Sequence, residues 1–90
     1  MLQFDWDPRK NNVNRKKHGV SFEEATTCFF DPMHVLIQDP DHSDNRLILI
    51  GTSSKSRVLI VVHLDRDDDK IRVISARKAT RTERQQYEEV

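Results

Sequence analysis

Two neighbouring segments, Arg46–Thr52 and Arg57–Asp65, constrain the fold more than any other feature. Each carries an unbroken apolar run, Leu47-Ile48-Leu49-Ile50 in the first and Val58-Leu59-Ile60-Val61-Val62 in the second. A strand alternates its side chains between two faces, so a run apolar at every position predicts a central strand covered on both sides. The intervening Ser53–Ser56 is turn-like and joins the two runs. A chain of 90 residues buries only about 60–65% of its unfolded surface, enough for one core. The expectation is a single domain over residues 1–90.

The remaining elements follow from local signals. Met1–Trp6 places Leu2, Phe4 and Trp6 on one side and Gln3 and Asp5 on the other, the period of a half-buried strand. Asp7 then reads as a helix cap with Pro8 at the first helical position, and Gly19 as the stop after His18. Val13 is the plain apolar contact of this polar, Asn-rich segment, so the helix should cover the fold rather than fill it. Ser21-Phe22-Glu23-Glu24 has the form of a capping box, and Phe22, Ala25 and Phe29 form one stripe of a second helix ended by Asp31-Pro32. Further strands are expected at His34–Asp39 and Lys70–Ser75, an acidic loop at Pro40–Asn45 and a charged turn at Asp65–Asp69. Thr80-Arg81-Thr82-Glu83 is a second capping box, opening a last helix to about Glu89. The order β-α-α-β-β-β-β-α predicts an α+β fold with helices packed on a mostly antiparallel sheet.

Composition narrows the function classes. Cys28 is the only cysteine, which excludes a disulfide framework and reads as a small core residue rather than a catalytic thiol. No apolar run approaches the ~20 residues of a membrane span and no signal pattern opens the chain, so a reducing cytoplasm is the expected home. The formal net charge is zero, but it is unevenly distributed. Residues 1–20 hold five Lys/Arg against two acids, residues 21–45 hold six acids and no base, and residues 70–90 hold six bases against three acids. A fold that brings the two ends together would present a basic face apart from an acidic one, although solvated charge alone would give the same count.

No phosphate loop, CxxC pair, HExxH or GxSxG occurs. His34, His42, Asp41 and Asp44 lack metal-ligand spacing and read as an acidic loop, so no metal or other cofactor is expected. His63, mid-strand among apolar residues, reads as a satisfied structural histidine. The basic residues collect in two places: Lys10, Lys16, Lys17 and His18, and then Arg72, Arg77, Lys78, Arg81 and Arg84. RNA cleavage without a metal needs a base for the 2′-hydroxyl, an acid for the leaving oxygen and cations for the phosphorane-like transition state. Histidine titrates in the right range and arginine grips phosphate with two parallel hydrogen bonds. The same residues would equally serve a module that binds nucleic acid without cutting it.

Two long blocks carry a family resemblance. Phe4-x-Trp6-Asp7-Pro8-x-Lys10, followed by Asn14-x-x-Lys17-His18-Gly19-Val20-x-Phe22-x-Glu24-Ala25, is similar to the opening of the BrnT toxins of bacterial type II toxin–antitoxin systems. Arg72-Val73-Ile74-Ser75-Ala76-Arg77-x-Ala79-Thr80-x-x-Glu83-x-x-x-Tyr87 resembles the end of the same family, with Val73 where isoleucine is usual. The resemblance implies a RelE-like ribonuclease fold and RNA cleavage that stops translation. It also implies a BrnA-like ribbon-helix-helix antitoxin as partner, with operator DNA reached only through that antitoxin. A homodimer and a hetero-oligomer are both compatible with such a complex.

Carried over by residue, the resemblance makes His18, Arg72, Arg77 and Tyr87 the catalytic candidates and Lys17 an RNA-binding one. Lys10, Lys16 and Arg84, from their charge, are expected to be peripheral RNA-binding contacts. Each has a plainer alternative: His18 as a cation at a helix C-terminus, Lys17 as a solvated residue, Arg72 in a surface ion pair, Tyr87 in packing. Trp6 reads as a residue of the core or its rim, with stacking on a base as its alternative. Arg72 and Arg77 pose a geometric problem, because residues five apart in a regular strand point to opposite faces. They share a face only if the strand bends or ends near Ser75. An interaction protein without catalysis, a degenerate toxin, is the third reading.

Overall fold

The computed structural model describes residues 1–40 and 45–89. Its elements run β1 (Gln3–Asp5), α1 (Pro8–His18), α2 (Phe22–Thr27), a 3-10 turn (Cys28–Phe30), β2 (Val35–Gln38), β3 (Arg46–Thr52), β4 (Val58–Arg66), β5 (Lys70–Lys78) and α3 (Arg81–Glu88). The expected α+β order is the observed one. The five strands form one sheet in the order β1-β5-β4-β3-β2. The pairs β2–β3, β3–β4 and β4–β5 are antiparallel, and β1 joins β5 in parallel. Most of the acidic loop, including Asp41, His42 and Asp44, lies outside the described residues.

Register divides the sheet into two faces. Leu49, Leu59, Val61, Val73 and Ala76 point to one side, where Val20, Phe22, Ala25 and Cys28 complete the core and Phe4, Trp6 and Phe29 pack at its rim. Burial pushes the Cys28 thiol up to about 12, in keeping with a small core residue. Gly51 lets the 3-10 turn lie directly on the sheet, since a Cβ there would stand 2.9 Å from the Cys28 carbonyl oxygen. His63 shares this face, edge-on to Phe29 at 4.8 Å, and is only partly satisfied: among the described residues its Nδ1 lacks a hydrogen-bond partner, while its Nε2 is 3.7 Å from Asp65.

The opposite face departs from the expected two-sided cover. Ile50 and Ile60 are buried there, but Ile48, Val62 and Leu64 are only half-buried. The reason is that α3 is entirely polar apart from Tyr87 and buries none of its residues. An element without an apolar stripe cannot seal a sheet.

Helix α1 corrects a second expectation. Val13 is 62% exposed, so it is not the contact that docks the helix. Asn11 and Asn14 do that work, and both are buried. Asn14 Nδ2 donates to the carbonyls of Val20 (2.8 Å) and Ala76 (2.7 Å), and its Oδ1 accepts from Ala76 N (3.2 Å). Since β1 pairs with β5 only as far as Arg72, the asparagine supplies at Ala76 the bonds a neighbouring strand would make. Asn11 Oδ1 accepts from Phe22 N (2.9 Å) and its Nδ2 donates to Glu23 (2.8 Å).

Candidate functional site

Asp7 caps α1 by accepting from Arg9 N (2.9 Å), Pro8 opens it, and Gly19 closes it at φ 69°. The helix holds no acidic residue, and its last turn is Arg15-Lys16-Lys17-His18, placed where the helix dipole favours cations. With the asparagines turned inward, Arg9, Lys10, Val13, Lys17 and His18 line a groove of about 320 Å³ whose other wall is Ile74 and Ser75 of β5. No acid lines it. Lys10, Lys17 and His18 therefore converge on one concave surface, while Lys16 stands outside it on the same exposed helix.

The wall contributed by β5 is irregular. Val62 pairs with Ser75 and His63 with Val73, leaving Ile74 as an extra residue, a β-bulge. The bulge resets the alternation of the strand. Val73 and Ala76, three apart, both enter the core, and Arg72, Ser75 and Arg77 share the other face. This resolves the conflict of faces between Arg72 and Arg77.

The two arginines differ in what holds them. Arg72 Nη1 lies 3.5 Å from Asp5 Oδ1 on the adjacent parallel strand, an ion pair open to solvent at both ends. Arg77 instead clasps Glu83 with two parallel bonds of 2.8 and 2.9 Å. The guanidinium holds the Glu83 carboxyl far below its ordinary value, at about 2. Glu83 also accepts from Thr80 N (2.8 Å) and Thr80 caps Glu83 N (3.2 Å), so the expected second capping box is complete.

Tyr87 fastens the other end of α3. Its hydroxyl donates to Asp31 Oδ2 and lies 3.0 Å from Thr52 Oγ1. Asp31 further accepts from Thr52 N (2.8 Å) and Met33 N (2.9 Å). Burial raises the Asp31 carboxyl, but the hydrogen bonds from Tyr87, Thr52 and Met33 outweigh it and hold the group below its usual range. Burial, then the bond to Asp31, raises the Tyr87 phenol. Beside α3 lies a larger cavity of about 670 Å³, bordered by Arg57, Lys78, Arg84 and Tyr87 among others. The candidates thus divide: Lys10, Lys17 and His18 line the α1 groove, Arg84 and Tyr87 line the α3 cavity, and Arg72 and Arg77 lie on the sheet face of β5.

Sequence reasoning passed over Asn14, whose alignment with Asn11 on one helix face was the available signal, and it misread Glu24. Ser21 does cap Glu24 N (3.0 Å), but the Glu24 carboxylate is buried against Arg57 and Ser53 instead of returning to the cap. Arg57 also donates to the Gly19 carbonyl (3.1 Å), so this ion pair ties the end of α1 to the β3–β4 turn. The guanidinium of Arg57 lowers the Glu24 carboxyl.

A comparison with curated protein sequences finds no match. Among solved structures, the chain is similar to the crystal structure of the Brucella abortus ribonuclease toxin, BrnT, with a TM-score of 0.72 and 22% identity, over 90% of this chain and 100% of that one. That likeness establishes the fold. The family model described as the ribonuclease toxin BrnT of type II toxin–antitoxin systems matches residues 6–83. The match spans the first helix and its groove, strands β2 to β5 and the start of the last helix, and the chain belongs to the BrnT ribonuclease toxin family.

Proposed function

We propose that the protein is an endoribonuclease toxin that cuts RNA by attack of its own 2′-hydroxyl, without a metal ion, and so inhibits translation. The observation that carries this reading is the acid-free groove holding Lys10, Lys17 and His18 beside the β5 bulge. Basic side chains concentrated in a concave, uncompensated site attract a polyanion. The His18 ring makes no hydrogen bond or ion pair among the described residues, so it is available to take the 2′-proton or to protonate the leaving 5′-oxygen. Lys10 and Lys17 hold the phosphates on either side, and Lys16 and Arg84 bind the flanking RNA. Arg72, whose open pair with Asp5 exchanges readily for a phosphate oxygen, stabilises the phosphorane-like charge. Arg77 and Tyr87 act from the same side by holding α3 in place.

The partner that fits this role is a BrnA-like ribbon-helix-helix antitoxin, through which the complex reaches operator DNA. The test is single-turnover cleavage of a defined RNA, with and without EDTA, alongside filter-binding affinity at fixed salt. Cleavage that survives EDTA and leaves 2′,3′-cyclic phosphate and 5′-hydroxyl ends is the expected result. Activity abolished by EDTA and restored by Mg²⁺ would overturn the metal-free reading. RNA bound but never cut would leave the competing reading, a binding module.

A further inference from the structure

Two apolar residues of the α1 groove do little for the fold. Val13 is exposed in the middle of a helix that Asn11 and Asn14 dock. A β-branched side chain also has a lower helix propensity than alanine, so local stability does not account for it. Ile74 is the inserted residue of the β5 bulge, only half-buried and outside the core cluster. Bulges re-aim side chains, and this one brings Ile74 to the groove wall across from Val13.

What surrounds this apolar pair says what it receives. Along α1, Val13 lies one turn after Arg9 and Lys10 and one turn before Lys17, the spacing at which helix side chains are neighbours. The side chains of Arg9, Lys10 and Lys17 make no hydrogen bond or ion pair among the described residues, so the fold leaves these cations uncompensated. The order along the helix is cation, apolar residue, cation. An RNA strand has the matching order of phosphate, base and phosphate, and each base offers flat apolar faces. Polar groups in the groove wall are few. Asn14 already donates both amide protons, to Val20 and Ala76, which leaves the Ser75 hydroxyl, able to donate or accept.

We propose that Val13 and Ile74 form a slot for one nucleobase of the RNA, the base next to the phosphate that meets Lys17 and His18, with Ser75 bonding to its edge. The inference rests on the reading of this groove as the site of RNA cleavage. All four bases share the apolar faces that the slot grips, and a hydroxyl can bond to any of them. The slot therefore requires a base and discriminates weakly among the four. Its effect is one of positioning: a held base fixes the adjoining ribose and phosphate against His18.

The test removes the base and the slot separately. A short RNA is cut at a mapped bond, and the nucleotide on each side of that bond is replaced in turn by an abasic ribose, which keeps the 2′-hydroxyl and the phosphates. Single-turnover cleavage and filter-binding affinity are measured for the wild type and for Val13→Ala, whose exposed position leaves thermal unfolding unchanged. At one of the two positions, loss of the base should slow the wild type by ~10-fold or more, as loss of a contact in an apolar pocket does. Val13→Ala should lose ~5-fold or more on the intact RNA and less than ~2-fold on that abasic RNA, where the slot is already empty. An equal loss on both RNAs would make Val13 a structural residue and overturn the slot. A wild type that cuts both abasic RNAs as fast as the intact one also overturns it, and leaves the apolar pair to a protein partner. If the chain binds RNA without cutting it, the cleavage reading fails on its own. The same comparison, with the abasic ribose stepped along the RNA and read in affinity, then decides the slot.

Discussion

Helices α1 and α3 are both polar, yet they are fastened in opposite ways. α1 is docked by two buried asparagines whose neutral amides bond to main chain and to Glu23. α3 buries nothing and is held by charged and phenolic side chains, the Arg77–Glu83 clasp at its start and the Tyr87–Asp31 bond near its end. The consequence for function is direct. Because α1 needs none of its cations for docking, Lys10, Lys17 and His18 are left for a ligand. The strongest-looking residues of the C-terminal block, by contrast, are already engaged.

This difference predicts where substitutions will act. The largest effect should come from His18→Ala, which removes the one imidazole of the groove. General acid–base catalysis is typically worth ~10²–10⁴ in rate. Single-turnover cleavage should fall by that factor, with RNA affinity and thermal stability nearly unchanged. A loss of less than ~5-fold would take the proton-transfer role away from His18. Arg72→Ala should follow at ~10²–10³ if it meets the developing charge.

Next comes the anchor of α1. Asn14→Ala leaves the Ala76 N–H and C=O and the Val20 carbonyl without their side-chain partner in a buried site. Unsatisfied buried groups cost about 1–3 kcal/mol each, partly relieved by water, so a total near ~3 kcal/mol is expected from urea unfolding. A change below ~1 kcal/mol would mean that α1 is docked by something other than its asparagines.

The limits of sequence reading fall along the same division. The ends of α1 were legible because Asp7-Pro8 and Gly19 act within one turn of where they stand. Arg46–Thr52 was legible because a run apolar on both faces has few other uses. What sequence missed depends on partners distant in the chain. Ile74 reads as one more strand residue until the pairing with Val62 and His63 makes it a bulge. Strand β5 continues past Ser75 to Lys78 because β4 supplies partners as far as Leu59. Val13 looked like the buried face because the alignment of Asn11 with Asn14 shows a shared helix face but not the partner of Asn14, Ala76, 62 residues later in the chain. The site was legible as a set of residue types; its division between a free groove and a fastened helix was not.

A smaller effect is expected at the end of α3. Tyr87→Phe keeps the ring and deletes the hydroxyl that reaches Asp31 and Thr52. One such bond contributes about 1 kcal/mol net, so α3 amides should exchange several-fold faster while global stability drops by roughly that amount. If Tyr87 also took part in proton transfer, cleavage would fall far more than α3 protection. That outcome would place α3 among the catalytic elements rather than the supporting ones.

The smallest effect belongs to the Arg77–Glu83 clasp, and pH is the means to read it. Glu83 is held at about 2 in the folded chain against 4.5 for an unperturbed glutamate, chiefly by its hydrogen bonds to Arg77. A carboxylate with a depressed folded value binds fewer protons folded than unfolded, so its stabilising contribution is complete above about pH 5. It is lost as pH falls from 4.5 through about 2. Because Arg77 is substantially exposed, water screens the pair and its worth stays in the range of about 0.5–1 kcal/mol. Glu83→Gln should therefore mimic acid at neutral pH: α3 loosens, and stability no longer declines through that window by this term. It also frees Arg77. If the guanidinium only fastens α3, cleavage at neutral pH should stay within ~2-fold. A clear rise in cleavage in Glu83→Gln, abolished again by adding Arg77→Ala, would show that Arg77 is a reaction cation restrained by α3, and the contrast between the two helices would then be one of regulation rather than of support.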